Sequence, residues 1–599
     1  MKAIILAAGI GNRMMPLTQN THKTLLKVGG VSIIDRIIDS LRKNDIVDVV
    51  IVTGYLKNQL INHLKKNHND INFEFVDNPR FKETNNIFSL SIAFEQIEID
   101  QDILLIESDL IYSDEVISKA INSKHQNLAL VSPYKIGLDG TVVQVKQNQI
   151  TGIYPPHLQD EKFDLSDKFK TLNIYKFSKS FCSTEFKKLL IYYANAIDEN
   201  CYYELILGIL LYMQKMTINC EIIDNSKWAE VDDPNDLSLA EFQFNNKSKT
   251  DLLQNSFGGY WNYDIIDFCF IRNMYFPTEA MNAEIKNFAP ILLSNYGSSQ
   301  EILNKKLSYV MQYNKERLVV LNGATQVYPI LKNIFKNKKA LIPTPTFGEY
   351  EKIFEKHITY DDIIGFKKQE IESKIELADI IVFVNPNNPT GSLFSTDWLF
   401  DVCLSNPDKT FIIDESFIEF SREKSIIELL ENKGLTNILV IRSMSKNYGL
   451  PGVRLGFIYT ADSFLYKQIS SNIPIWNLNS IAEFYLEIIL KNKISLMESF
   501  EKTKKDRDEF ILKLNKVDLI DKVFPSEGNF ILFEIDKVKF NSKDFLEYLL
   551  NKYNIFVKDI SSKFKNEKKS YFRVAVREPD ENKKFIIAMS KFGIKNKIL

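Results

Sequence analysis

Short apolar runs alternate with amphipathic stretches in two successive series along this chain, and that alternation restricts it to α/β architectures. In the first series the runs at 3–6, 49–53, 73–76, 103–106 and 128–131 read as strands, with helical patterns at 33–41 and 56–64. Runs apolar on both faces, separated by helices, predict a mostly parallel, doubly wound sheet. A second series follows at 340–342, 380–384, 410–413, 438–441 and 456–459. Between them Phe244-Asn245-Asn246-Lys247-Ser248-Lys249-Thr250-Asp251 is polar and aperiodic, which predicts a linker over 244–254. The expected division is therefore a domain over 1–243 and another over 255–599. No internal repeat relates the two.

Composition narrows the function classes. A formal net charge of −2 offers no case for binding nucleic acid or a membrane surface. Six histidines and five cysteines are scattered without metal-ligand spacing, so neither a zinc site nor a disulfide framework is expected. The apolar start runs directly into Ala7-Ala8-Gly9, too short for a signal segment, and no apolar run is long enough to span a bilayer. These features predict a cytoplasmic enzyme.

Two loops carry chemistry. The first, Leu6-Ala7-Ala8-Gly9-Ile10-Gly11-Asn12-Arg13-Met14, follows a strand, so backbone N–H groups can face a phosphate without Cβ obstruction. It is no Walker loop, and Met14 stands where a dinucleotide fingerprint has its third glycine. Arg13 and Lys23 are cations within one loop's reach, suited to a triphosphate and its leaving pyrophosphate. Asp109 and Asp232 each end a predicted strand, and two such carboxylates suit Mg²⁺. Tyr202, Tyr203 and Glu204 read as buried helix packing, with an acceptor-pocket role as the other possibility.

The second is Ser443-Met444-Ser445-Lys446, with Arg454 eight residues beyond the lysine. Pyridoxal phosphate needs a lysine for its aldehyde, an acid at the pyridine nitrogen and anion holders at its phosphate. Lys446 follows a strand, and Asp414 ends one. Asn388 of Asn385-Pro386-Asn387-Asn388-Pro389 can donate to the ring oxygen. Ser443, Ser445, Arg454 and the N–H groups around Ala324 and Thr325 suit the phosphate.

Segment 6–27, then Thr84-Asn85-Asn86-Ile87-Phe88-Ser89, then Trp228-Ala229-Glu230-Val231-Asp232, resembles the phosphocholine cytidylyltransferase branch of the nucleotidyltransferases, a Rossmann-like fold. The resemblance implies that Leu6, Ala8, Gly9, Gly11 and Arg13 hold the nucleotide and Lys23 its phosphates. It further implies that Asp109 and Asp232 bind Mg²⁺ with Glu230 close by, and that Asn85, Asn86 and Ser89 lie near base and acceptor. His22 departs from the family's proline before the lysine, which questions the loop's rigidity. Residues 255–599 resemble fold-type I aminotransferases, near histidinol-phosphate aminotransferase and threonine-phosphate decarboxylase. That implies Phe347 stacking on the cofactor ring, Arg573 taking a substrate carboxylate with Arg577 as helper, and Tyr296 reaching a neighbouring subunit's cofactor phosphate in a homodimer. Phe417, where the histidinol-phosphate enzymes have tyrosine, and Trp476-Asn477-Leu478-Asn479 lean toward the decarboxylase. Asn273-Met274-Tyr275-Phe276 lacks the glycine both groups carry, so the substrate pocket is expected to be rebuilt.

Fused in this order, the halves resemble the bifunctional 2-aminoethylphosphonate cytidylyltransferase/aminotransferases. The implied sequence transaminates phosphonoacetaldehyde and then joins the amine to CMP from CTP. The other possibility is phosphoserine decarboxylation followed by cytidylylation of phosphoethanolamine or phosphocholine; the fusion order favours the phosphonate. A regulator that binds pyridoxal phosphate without turnover would carry a DNA-binding domain where the nucleotidyltransferase stands.

Overall fold

The first apolar run forms the strand Lys2–Ala7, paired in parallel with Asp48–Thr53 on one side and Ile103–Glu107 on the other. It lies within a nine-stranded sheet in the first of two units, Met1–Tyr263 and Asp264–Leu599, into which the chain's contacts divide it. The structure, a computed structural model, describes residues 1–245, 249–363, 368–537 and 540–597.

The sheet of the first unit begins Asn72–Asp77, Asp48–Thr53, Lys2–Ala7 and Ile103–Glu107, all parallel. Strand order reverses beside Lys2–Ala7, the place where open α/β sheets bind ligands beyond their carboxyl ends. Helix Ile33–Arg42 buries Ile33, Ile34, Ile37, Ile38 and Leu41 against one face, the i, i+3, i+4 stripe its sequence carries. Ser32 caps it by accepting the Asp35 N–H at 3.1 Å, an interaction of about 1 kcal/mol. On the opposite face, helix Asn86–Gln96 packs Ile87, Leu90 and Phe94.

The expectation of a mostly parallel sheet fails in its other half. Phe169–Phe177 runs antiparallel to Ile103–Glu107 and to Leu128–Pro133, and the hairpin Val142–Lys146 with Gln149–Tyr154 closes the far edge. Hairpin strands pair through short turns rather than crossover helices, so they break the helix-strand alternation that carried the reading. The linker expectation also changes. Residues 246–248 lie outside the described ones, but Lys249–Ser256 is a helix of the first unit, with Leu253 buried and the Lys249 Nζ 5.3 Å from the Phe242 ring. Tyr263 packs on the same Phe242 ring at 4.5 Å.

In the second unit a seven-stranded sheet holds Ala340–Thr344, His357–Asp361, Ile380–Val384, Thr410–Asp414 and Ile438–Ser443 in parallel; Gly456–Thr460 is the reversed strand, and the edge strand Leu318–Leu321, antiparallel to it, runs with the other five. A four-stranded sheet containing Phe530–Asp536 and Lys569–Ala575 carries Arg573. All five cysteines are buried and free. Among the described residues no helix is long and apolar enough to cross a membrane.

Candidate active sites

A cleft of about 610 Å³ opens over the carboxyl ends of Lys2–Ala7 and Ile103–Glu107. Its lining includes Leu6, Ala8, Gly9, Gly11, Arg13, Lys23, Asn85, Asn86, Ser89, Asp109, Glu230 and Asp232, so every residue expected there from the sequence is brought together. Gly11 has φ +67°, a left-handed conformation, and a Cβ on it would meet the Lys23 side chain at 3.3 Å. Gly9 has open space where its Cβ would be.

A small ladder delivers the acids. Leu110–Tyr112 pairs antiparallel with Trp228–Glu230, and the Val231 N–H donates to Asp109 O at 2.9 Å. Asp109 and Asp232 thereby face one cation: Lys23 Nζ lies 2.8 Å from an oxygen of each. Burial pulls the Lys23 pKa down, yet the two acids hold it above the ordinary lysine value. Arg13 spans Asp232 at 2.8 Å and Asp139 at 2.9 Å. Carboxylate oxygens of Asp139, Glu230 and Asp232 lie within 4.8 Å of one another, and the second oxygen of Asp109 is buried without a partner. These donors suit a hard divalent cation.

His22 answers the question its departure raised. It is buried; its Nδ1 accepts the Thr24 N–H at 3.3 Å, which leaves the proton on Nε2, 3.1 Å from Ala7 O. Burial holds its pKa near about 4, so a neutral imidazole ties the Lys23 turn to the strand end. Proline would have stiffened the same turn by its ring.

Sequence reading missed the second layer. Lys170, fully buried on Phe169–Phe177, lies 3.2 Å from Glu230, and Asn173 donates to the other Glu230 oxygen at 3.1 Å. A lone lysine in a strand gives no local signal of this. Burial pushes Glu230 up to about 7 against the pull of Lys170. Asn86 donates to Glu107 at 3.1 Å and accepts the Tyr203 N–H at 3.1 Å, while Asn85 caps the helix start. Tyr203 follows the packing expectation, buried edge-on to Tyr175. Tyr202 and Glu204 instead line the cleft. Glu204 keeps one buried oxygen unpartnered, and burial raises its pKa to about 7.

In the second unit Lys446 sits on the short helix Met444–Asn447 directly after the strand Ile438–Ser443. Its Nζ lies 4.4 Å from the Phe417 ring and 5.7 Å from the Phe347 ring. It makes no ion pair among the described residues. Burial pushes its pKa down to about 8, with Asp414 opposing and Arg573 and Arg454 reinforcing. Asp414 accepts from Tyr350 Oη at 2.6 Å and from the Ser416 N–H at 2.9 Å, which fixes its carboxylate at the strand end. Arg573 donates to Asn388 Oδ1 at 2.9 Å.

Arg454 has φ +60° and donates to Thr325 Oγ1 at 3.1 Å. A Cβ on Gly323, at φ +74°, would fall 2.5 Å from the Arg454 guanidinium and displace it. That loop ends in Ala324 and Thr325 at a helix start, where backbone N–H groups suit an anion. Ser443 N–H donates to Ser416 Oγ at 3.1 Å, and the Ser445 hydroxyl to Leu455 O at 3.2 Å. The residues present fit pyridoxal phosphate. Two expectations lie outside the cluster. Tyr296 is 81% exposed and stacks on Trp476 at 4.5 Å. Arg577 is committed to Glu581 at 2.8 Å and to Asp267 O at 2.7 Å, so its charge is spent structurally rather than beside Arg573.

Comparison with known proteins gives the same two halves. The nucleotidyl transferase family matches residues 2–138, and the class I and II aminotransferase family matches residues 267–588. A CMP-5'-(3-aminopropyl)phosphonate synthase from Streptomyces rubellomurinus is 26% identical over 98% of this chain and 95% of its own length. A histidinol-phosphate aminotransferase from Ruminiclostridium cellulolyticum is 30% identical over 43% of this chain and 73% of its own. An L-serine phosphate decarboxylase from Campylobacter jejuni is 28% identical over 53% and 86% respectively. The crystal structure of the histidinol-phosphate aminotransferase from Clostridium acetobutylicum superposes with a TM-score of 0.50 at 26% identity, over 55% of this chain and all of that one. The chain belongs to the class I and II aminotransferase family, and it carries an N-terminal nucleotidyl transferase domain on the same polypeptide.

Proposed function

We propose that the chain makes 2-aminoethylphosphonate by transaminating phosphonoacetaldehyde and activates it with CTP to CMP-2-aminoethylphosphonate, releasing pyrophosphate. The observation that carries this reading is the near-full-length similarity to an enzyme named for joining CMP to an aminoalkylphosphonate. The chemistry of the first cleft supports it. Asp109 and Asp232, with Glu230 behind them, would hold Mg²⁺, and Arg13 and Lys23 would exchange their carboxylate partners for triphosphate oxygens. A phosphonate oxygen, already anionic, attacks the α-phosphorus of CTP as the bond to pyrophosphate breaks, so no general base is needed. Glu204 and Glu107 lie where a cationic amine of the acceptor would be welcome.

In the second site pyridoxal phosphate, when bound, would supply the electron sink for moving an amino group between carbon skeletons. Asp414 would face its ring nitrogen, Asn388 its ring oxygen, Phe347 its ring face, and Arg454 with Ser443, Ser445, Ala324 and Thr325 its phosphate. Lys446, its ammonium destabilised by burial, would take and return the proton at the substrate carbon. A homodimer would bring the exposed Tyr296 to a partner's cofactor phosphate.

The second reading, phosphoserine decarboxylation feeding phosphoethanolamine to the cytidylyltransferase, is favoured by the similarity to L-serine phosphate decarboxylase and by Phe417 under Lys446. Pyrophosphate release from CTP decides between them. With 2-aminoethylphosphonate, 3-aminopropylphosphonate, phosphoethanolamine and phosphocholine as acceptors, kcat/KM is expected to favour 2-aminoethylphosphonate by about tenfold or more, a difference of at least ~1.4 kcal/mol. A preference for phosphoethanolamine would move the assignment to the decarboxylase reading.

A further inference from the structure

Asp362 is a buried acid to which neither site gives a role. It follows the strand His357–Asp361, and its N–H donates to Thr344 O at 3.0 Å, on the neighbouring strand Ala340–Thr344. The residue is 1% exposed, and among the described residues no lysine or arginine pairs with it. A carboxylate in that setting is unfavourable unless hydrogen-bond donors gather on it. Three do. Its Oδ2 accepts from Thr390 Oγ1 at 2.7 Å, from Ser392 Oγ at 2.6 Å and from Asn387 Nδ2, while Oδ1 is buried without a partner. Burial raises the pKa of this carboxyl to about 6, with the three donors opposing.

Those donors bracket Asn388 in the chain. Asn387 reaches further: its Nδ2 also donates to Pro345 O at 2.9 Å, and its Oδ1 accepts from Thr346 Oγ1 at 2.8 Å. One carboxylate oxygen therefore ties together two segments of the candidate cofactor site, the loop that carries Asn388 and the turn that carries Phe347. Asn388 is oriented as well. Its Oδ1 accepts from Arg573 at 2.9 Å, which leaves its Nδ2 to donate elsewhere. An apolar side chain of similar volume would fill the space of Asp362 without burying a charge. The carboxylate is explained by what its bonds hold in place.

We propose that Asp362 is a positioning residue of the cofactor site: through Asn387 it fixes the Asn388 amide at the edge, and the Phe347 ring at the face, of bound pyridoxal phosphate. It touches no reacting atom. The inference rests on the reading that the second unit binds this cofactor, and it holds for either reaction considered above.

The test uses the full chain as wild type, Asp362→Asn, Thr390→Val, Asn388→Ala and the double variant Asp362→Asn with Asn388→Ala, with circular dichroism as the check on folding. Titration with pyridoxal phosphate gives the affinity, and a pH titration of the loaded protein gives the midpoint of the cofactor's absorbance change. Two effects on that midpoint have opposite signs. Without the Asn388 donor the anionic ring oxygen competes harder for a proton, which moves the midpoint up; loss of a negative charge alone moves it down. Asp362→Asn is expected to weaken the affinity about tenfold and to raise the midpoint by roughly half a unit. Thr390→Val keeps the charge and removes one donor, so it should raise the midpoint by less. In the Asn388→Ala background, adding Asp362→Asn should move the midpoint no further.

A folded Asp362→Asn with unchanged affinity and midpoint would overturn the proposal, as would a midpoint that falls. So would the same rise with Asn388 already removed. Where Asp362→Asn does not fold, Thr390→Val decides: a raised midpoint supports the proposal and an unmoved one overturns it. A wild type that takes up no pyridoxal phosphate would overturn the cofactor reading and the proposal together; wild-type binding with indifferent variants would overturn the proposal alone.

Discussion

Lys23 Nζ stands 2.8 Å from carboxylate oxygens of both Asp109 and Asp232, so one cation from the glycine loop closes a triangle with two acids from distant segments. In nucleotidyl transfer the same amine would neutralise charge developing on the triphosphate. Lys23→Met is expected to lower pyrophosphate release by about 10²–10³-fold, the scale of losing one preorganised electrostatic donor. Cofactor-absorbance changes on adding an amine should be unaffected in the same protein, which separates lost chemistry from lost folding. An activity within a few-fold of wild type would remove Lys23 from the machinery.

Glu204 gives the acceptor site a pH signature. Its carboxyl has a pKa raised to about 7 by burial, so the ionised form that attracts an ammonium gains population as pH rises through 7. KM for 2-aminoethylphosphonate should therefore fall across that window. Wild type and Glu204→Gln are compared with the same acceptor, so the phosphonate's own titration cancels in the ratio of their KM values. Above pH 7 the variant should bind the amine about tenfold more weakly, the value of one charge-assisted contact, and the gap should close as pH falls below 7. A ratio that does not move with pH would rule Glu204 out as the amine's partner.

At the other site Gly323 serves as a steric gauge of the phosphate cradle. A Cβ there would press on the Arg454 guanidinium at 2.5 Å and would have to hold φ at +74°. Gly323→Ala is expected to weaken pyridoxal phosphate binding by about tenfold or more, from positive-φ backbone strain of ~1–3 kcal/mol together with displacement of the arginine. Cofactor titration by absorbance checks this, with pyrophosphate release as the control. Undiminished cofactor affinity would show that the loop is not the cradle.

What was legible in the sequence follows from how local each signal is. Leu6 through Lys23 form one continuous segment at a strand end, and Ser443 through Arg454 another, so their residue types and spacing speak for themselves. Asp109 and Asp232 were readable because each ends an apolar run. Lys170 was not: its meaning depends on Glu230, which reaches it only after an antiparallel strand enters a sheet expected to be mostly parallel. Glu204 reads as packing more readily than as an acceptor-pocket acid because it lies in an apolar helix; only the fold shows that it lines the cleft. Arg577 looked available beside Arg573, but Glu581, one helical turn along, had already claimed it.

The charge environment of Lys446 yields a prediction with opposite signs in two variants. With its pKa lowered to about 8, the amine is mostly protonated below that pH and free above it. Only the free amine can attack the cofactor aldehyde, so the rate of pyridoxal phosphate uptake by cofactor-free enzyme should rise with pH and level off above about 8. Asp414 favours the ammonium, and removing its charge in Asp414→Asn should move the inflection down. Arg573 disfavours it, so Arg573→Gln should move the inflection up. Comparing variants under one protocol cancels the cofactor's own titration. Uptake rates between pH 6 and 10 would show the two shifts; a common inflection in all three proteins would mean that burial alone sets the reactivity of Lys446.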